Sequence, residues 1–140
     1  MPIFLDTGFY FALLANKDSH HTQATKLLKR VASWEFGRPV TSDFVFDEAM
    51  TLISTQVKGE KENLLRKMKN LFLGEEPLGH LVCIEPVWLP EIADLHIKLT
   101  TPGPSPSFTD CSSIIACQKQ GIEKILSFDW HFEGFLNLIH

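Results

Sequence analysis

Four separated carboxylates stand where an α/β chain can gather them. Asp6 follows the apolar run Pro2-Ile-Phe-Leu5, Glu48 lies early in a helix beginning at Ser42 or Asp43, Asp110 opens a late helix, and Asp129 ends the run Ile122-Glu-Lys-Ile-Leu-Ser-Phe-Asp129. Open α/β folds place their sites at the carboxyl edge of the sheet, so acids at strand exits and in the first turns of the following helices can converge there. Carboxylate oxygens gathered without C-x-x-C or ligand-spaced histidines suit a hard cation, magnesium or manganese, better than zinc. Two such ions about 4 Å apart activate water and stabilise a leaving oxygen in phosphodiester hydrolysis. Each acid also has a structural reading. Ser107-x-x-Asp110 matches a capping box, Asp6 and Asp129 suit helix caps, and Glu48 gains from a helix macrodipole. The pattern supports an acid cluster and leaves its substrate open.

The elements that must position these acids alternate between strand and helix. Pro2 to Leu5 reads as a buried strand, followed by a helix over Phe9 to Asn16. Asp18-Ser-His-His21 opens an amphipathic helix with Ala24, Leu27, Leu28 and Val31 on one side. Val40-Thr41 is a brief strand, and the helix after it carries Val45, Phe46, Ala49, Leu52 and Ile53 inward. Glu60 to Phe72 is another helix, Leu81 to Ile84 a strand, and Trp88 to Leu99 a helix that tolerates Pro90 in its first turn. The loop Thr101-Pro-Gly-Pro-Ser-Pro106 leads into a helix from Ser107 that stops at Gly121. After Asp129, one helical turn over His131 to Phe135 precedes an edge strand over Leu136 to Ile139. Interleaved strands and helices predict a mainly parallel sheet covered on both faces.

The 140 residues suit one domain, 1–140, with no evident linker or repeat. The terminus Met1-Pro-Ile-Phe-Leu lacks a basic lead and is interrupted by Asp6, which makes a poor signal peptide, and no apolar run approaches bilayer length. Cys83, Cys111 and Cys117 are odd in number, arguing against a disulfide framework and for a reducing cytoplasm. A formal charge of −4 argues against a basic-groove nucleic-acid binder. Bound divalent cations would nevertheless reverse the local sign at an acidic site.

Several segments together resemble the PIN-domain family, and particularly its single-domain VapC-type toxin ribonucleases. They are Ile3-Phe-Leu-Asp6-Thr7, Asp18-x-x-His21-x-x-Ala24, Thr41-Ser-Asp-Phe-Val-Phe-Asp-Glu48, Ser107-Phe-Thr-Asp110, and Ile125-Leu-Ser-Phe-Asp129-x-x-Phe132. The resemblance implies a three-layer α/β/α sandwich and a Mg2+- or Mn2+-dependent endoribonuclease acting on RNA. It further implies the toxin role in a type II toxin-antitoxin pair, a small antitoxin partner, and a homodimer. Asp6, Glu48, Asp110 and Asp129 match the family's acidic positions as catalytic metal carboxylates, with Asp129 binding directly or through water. Thr7 and Ser127 match positions where hydroxyls support the acids. Residues before Ser107 follow no clear family pattern, so the loop there bears on access to the site.

Other residues carry competing readings. Adjacent helical side chains diverge, so His20 and His21 favour structural or surface roles over shared metal binding, with His21 packing its helix. Trp34, Trp88 and Trp130 suit core or rim positions, and Trp130, beside Asp129, is the best candidate to stack a base. The basic face of Lys61, Arg66, Lys67 and Lys69 fits a solvated helix surface. Only one of Asp47 and Glu48 should face the site, because neighbours on a helix point about 100° apart. Asp43 remains a peripheral acid near a substrate path. A haloacid-dehalogenase-type phosphatase lacks support because Gly8 occupies the second acidic position of D-x-D. A stand-alone RNA-processing nuclease and a noncatalytic interaction domain, with its acids serving only as caps, remain the alternatives.

Overall fold

The computed structural model describes residues 1–140 as a five-stranded sheet covered by helices. In chain order the elements are β1 (Ile3–Leu5), α1 (Thr7–Leu14), α2 (His21–Ala32), β2 (Pro39–Ser42), α3 (Asp43–Gln56), α4 (Lys61–Leu73) and β3 (His80–Val82). They continue with α5 (Leu89–Leu99), α6 (Phe108–Gln120), β4 (Lys124–Leu126) and β5 (Asn137–Ile139). Short 3-10 turns occupy Pro86–Trp88 and Trp130–Phe132. The strand order is β3-β2-β1-β4-β5, and every neighbouring pair is parallel. The sheet is thus wholly parallel rather than mainly so.

Right-handed crossovers in this order put α1 to α4 on one face and α5 and α6 on the other. Ile3, Phe4 and Leu5 are all buried, the unbroken apolar run expected of a central strand covered on both sides. The main core joins them to Phe9, Tyr10, Ala24, Leu27, Val31, Val45, Ala49, Ile53 and Phe72. A second cluster, Ile84, Trp88, Ile92, Cys111, Ile115 and Ala116, seats α5 against α6. Trp88 is therefore a core residue. Helix α6 is buried from Asp110 through Cys117, and its small Ser112, Ser113 and Ala116 allow close packing. Burial pushes the Cys111 and Cys117 thiols up to about 11 and about 12, away from thiolate chemistry.

Several boundaries differ from expectation, among them α1, which runs Thr7–Leu14 rather than Phe9–Asn16, and the turn at Trp130–Phe132 rather than His131–Phe135. Strand β3 ends at Val82 rather than Ile84, because Ile84 turns into the second cluster and its N–H donates to Asp43 Oδ1 at 2.9 Å. Asp43 Oδ1 also accepts from Phe44 N at 3.0 Å, so this oxygen fastens the start of α3 to the end of β3. Trp88 lies in a 3-10 turn before α5, whose Pro90 falls in the first turn. No helix is long and apolar enough to cross a membrane.

Candidate active site

The sheet order reverses beside β1: the chain passes from β1 to β2 and β3 on one side, then returns to β4 and β5 on the other. Such a switch point opens a crevice at the carboxyl ends of the two central strands. Leu5 pairs with Leu126, so the next residues, Asp6 and Ser127, emerge side by side. Asp6 N donates to Leu126 O at 3.1 Å, and Ser127 Oγ donates to Asp6 Oδ2 at 2.7 Å. Although Asp6 occupies the N-cap position of α1, its side chain makes no capping hydrogen bond. The cap reading fails for this residue, and its other oxygen, Oδ1, is buried without a partner.

Asp110 and Asp129 show the same division of labour between their oxygens. Ser107 and Asp110 form the expected capping box: Asp110 Oδ2 accepts from Ser107 N at 2.9 Å, and Asp110 N donates to Ser107 Oγ at 3.0 Å. Asp129 Oδ1 accepts from His131 N at 2.9 Å, capping the Trp130–Phe132 turn, while Ser127 Oγ also accepts from Asp129 N at 3.0 Å. Each aspartate thus spends one oxygen holding its own position and leaves the other without a protein hydrogen bond. Glu48 is the sixth residue of α3, beyond the first turn where the macrodipole acts most strongly. It faces the cleft, whereas Asp47 is exposed elsewhere.

These acids repel one another. Burial, then the Asp110 charge, pushes the Asp6 carboxyl up to about 8 despite the Ser127 hydrogen bond. Burial, followed by the charge of Asp110, also raises Glu48, with the Thr109 and Thr7 hydroxyls moderating the rise. Asp110 is raised by burial and then by Asp129, against the backbone donor of Ser107 and the neighbouring His131. Thr7 Oγ1 itself is buried and lacks a well-aligned hydrogen bond. Clustered carboxylates with raised proton affinity and an orphaned buried oxygen fit a divalent cation, which would neutralise them and fill the missing coordination.

Asp6, Glu48, Asp110 and Asp129 share one open cleft of about 420 Å³, with Thr7 in its wall. Its lining of 15 residues includes no Lys or Arg. Lys61, Arg66, Lys67 and Lys69 therefore lie outside it, where Arg66 pairs with Glu62 and Lys61 donates to Ser54 O. Among the histidines, His21 Nδ1 lies 2.6 Å from Ala12 O and ties α2 to α1, while His20 lines the cleft and stacks on Phe128 at 4.4 Å between centroids. Trp130 is 65% exposed on the cleft wall, and Trp34 is exposed in the turn after α2.

His131 is the residue that sequence reasoning passes over. One donor atom each from Asp110, Asp129 and His131 lies within 4.8 Å of the others. The only sequence signal is its place two residues after Asp129, in a turn whose direction periodicity does not reveal. Asp18, Ser105 and Ser107 also join the lining, the serines from the loop that leads into α6.

Comparison with known proteins assigns the architecture. The structure is similar to Mycobacterium tuberculosis VapC20, described as a sarcin-ricin-loop-cleaving toxin, with a TM-score of 0.77, 22% identity, and 96% of each chain covered. It is also similar to a chain of VapBC2 from Rickettsia felis, solved with a promoter DNA fragment, at a TM-score of 0.63 and 15% identity over 99% of this chain and 98% of that one. FitAcB from Neisseria gonorrhoeae gives a TM-score of 0.63 and 14% identity, covering 99% of this chain and 96% of that one. Comparison with curated protein sequences gives no match. The PIN domain family model matches residues 3–135, nearly the whole chain, and the protein belongs to the PIN domain family.

Proposed function

We propose that this protein is a divalent-metal-dependent endoribonuclease and the toxin of a type II toxin-antitoxin pair. The observation that carries this reading is a cleft at the sheet's switch point with several carboxylates and no lysine or arginine. A phosphodiester approaching such a surface meets mainly like charge until cations intervene. Asp6, Glu48, Asp110 and Asp129 would hold Mg2+ or Mn2+, which supplies an activated water and charge stabilisation at the phosphoryl oxygens.

The protein's own contribution is positional. Ser127 fixes Asp6, the capping box fixes Asp110, and the Trp130–Phe132 turn fixes Asp129, so each carboxylate would meet a cation with little reorganisation. Glu48, on α3, would bind the metal or accept a proton from the attacking water. Trp130 offers an exposed aromatic face beside Asp129 for a base of the substrate. The toxin role, an antitoxin partner that blocks the cleft and a homodimer rest on family resemblance, supported by the likeness to VapC20 and to a chain of VapBC2.

Inducible expression in a bacterial host, followed by transcriptome-wide mapping of new RNA ends, tests this function. Wild type is expected to arrest growth and generate discrete new ends, and Asp110→Asn at equal abundance to do neither. Arrest by Asp110→Asn with the same ends would contradict a role for this site. Cleavage without arrest would favour a stand-alone RNA-processing nuclease over a toxin.

A further inference from the structure

Building on the divalent-ion reading above, we propose that His131 supplies an imidazole nitrogen to the ion held by Asp110 and Asp129. We infer that this nitrogen tilts the site toward Mn2+ over Mg2+. The three side chains already bring one donor atom each to within 4.8 Å of one another. Ligands about 2.1 Å from an ion lie roughly 3 to 4 Å apart, so three donors this close together are near the spacing that one cation would require.

The state of the ring supports this assignment. The His131 side chain is 15% exposed, and both ring nitrogens are sealed from solvent without a well-aligned hydrogen bond. Nδ1 lies 2.8 Å from Asp129 Oδ1, close enough for attraction but out of line for a hydrogen bond. Buried polar nitrogens without partners are costly, and an ion beside the ring would satisfy one of them. The ring is also held in place. Its backbone N–H caps onto Asp129, Phe132 next to it is fully buried, and the Trp130 ring leans over it at 4.4 Å between centroids.

The metal preference follows from donor chemistry. Mg2+ strongly favours oxygen and sheds its waters reluctantly; Mn2+ also takes carboxylate oxygens but, as a first-row transition ion, accepts an imidazole nitrogen at less cost than Mg2+ does. Every other donor in the cluster is a carboxylate oxygen, so His131 is the group able to separate the two ions. The competing role is a positioning cation that pairs with Asp129 and never touches metal.

These roles separate in RNA-free measurements of Mn2+ binding. Electron spin echo spectroscopy on Mn2+-loaded protein carrying 15N-histidine is expected to show nitrogen coupling in wild type and none in His131→Ala or His131→Asn. Calorimetric titrations should show Mn2+ affinity falling about tenfold or more in both variants, while Mg2+ affinity changes by less than about threefold. Wild-type protein that binds Mn2+ without nitrogen coupling would overturn the His131 assignment and leave the nuclease reading standing. Coupling retained in His131→Ala would assign it to another imidazole, such as His20, and overturn the proposal as well. Wild type binding neither ion would remove the metal site itself, and the proposed function with it.

Discussion

Ser127 Oγ donates to Asp6 Oδ2 at 2.7 Å, joining residues that follow adjacent parallel strands and lie 121 positions apart in the chain. The contact aims a carboxylate that is almost wholly buried, and it is the main internal restraint on that side chain. Ser127→Ala is expected to weaken Mn2+ binding by about 10- to 100-fold, the usual effect of removing a group that orients a ligand. Its loss of folding stability should be only about 1 kcal/mol. Titration calorimetry and denaturant unfolding on the same preparation measure the two effects.

Ser107→Ala should give the opposite profile. It removes the hydroxyl that accepts from Asp110 N but leaves the Ser107 N–H that holds Asp110 Oδ2. Stability is expected to fall by about 1 kcal/mol through the lost cap, with ion affinity nearly unchanged. A large loss of ion binding would show that the hydroxyl, not the backbone donor, orients the acid.

The buried acids make the metal-free protein sensitive to pH. Asp6 rises from 3.8 to about 8 on folding, so between these values the folded state holds a proton that the unfolded chain releases. This contribution is fully present below the unfolded value and is lost as pH rises through about 8. Asp110 and Glu48 are raised too and act in the same direction. With EDTA present, Tm should fall between pH 5 and pH 8. At pH 8, Asp6→Asn should melt about 3 °C or more above wild type, the shift expected from roughly 1 kcal/mol in a domain of this size. Mn2+ should reverse the order by stabilising wild type more strongly. Calorimetric scans across this pH range with and without Mn2+ check each sign.

Attack by water also predicts the chemistry of the products. A nucleophile taken from solvent leaves the ribose 2′-hydroxyl outside the bond changes, so cleaved RNA should carry no 2′,3′-cyclic phosphate. Mass spectrometry of short products decides this, and a cyclic phosphate would indicate attack by the neighbouring hydroxyl instead.

Much of the fold was legible because its signals are local. The Ser107 cap, the Gly121 stop, the apolar run before Asp6 and the stripe of α2 each leave a period or a boundary residue. Strand order leaves no such mark. It sets Asp6 beside Ser127, and it emerges only when distant segments pair. Position after a strand marked Asp6 and Asp129, although an acid at a helix start reads equally as a cap. Asp110 both caps α6 and lines the cleft, because a carboxylate has two oxygens and the cap uses one. The place of His131 in the cleft wall left no mark, because the short turn after Asp129 sets its direction.

The central claim is that these carboxylates hold ions that hydrolyse RNA, and purified protein tests it most directly. Wild type and Asp110→Asn, both verified as folded, would be incubated with a panel of structured and single-stranded RNAs in Mn2+, Mg2+ or EDTA. Wild type is predicted to cut in a metal-dependent way, with Asp110→Asn slower by about 100-fold or more. Equal cutting by the two proteins, or cutting that persists in EDTA, would contradict it.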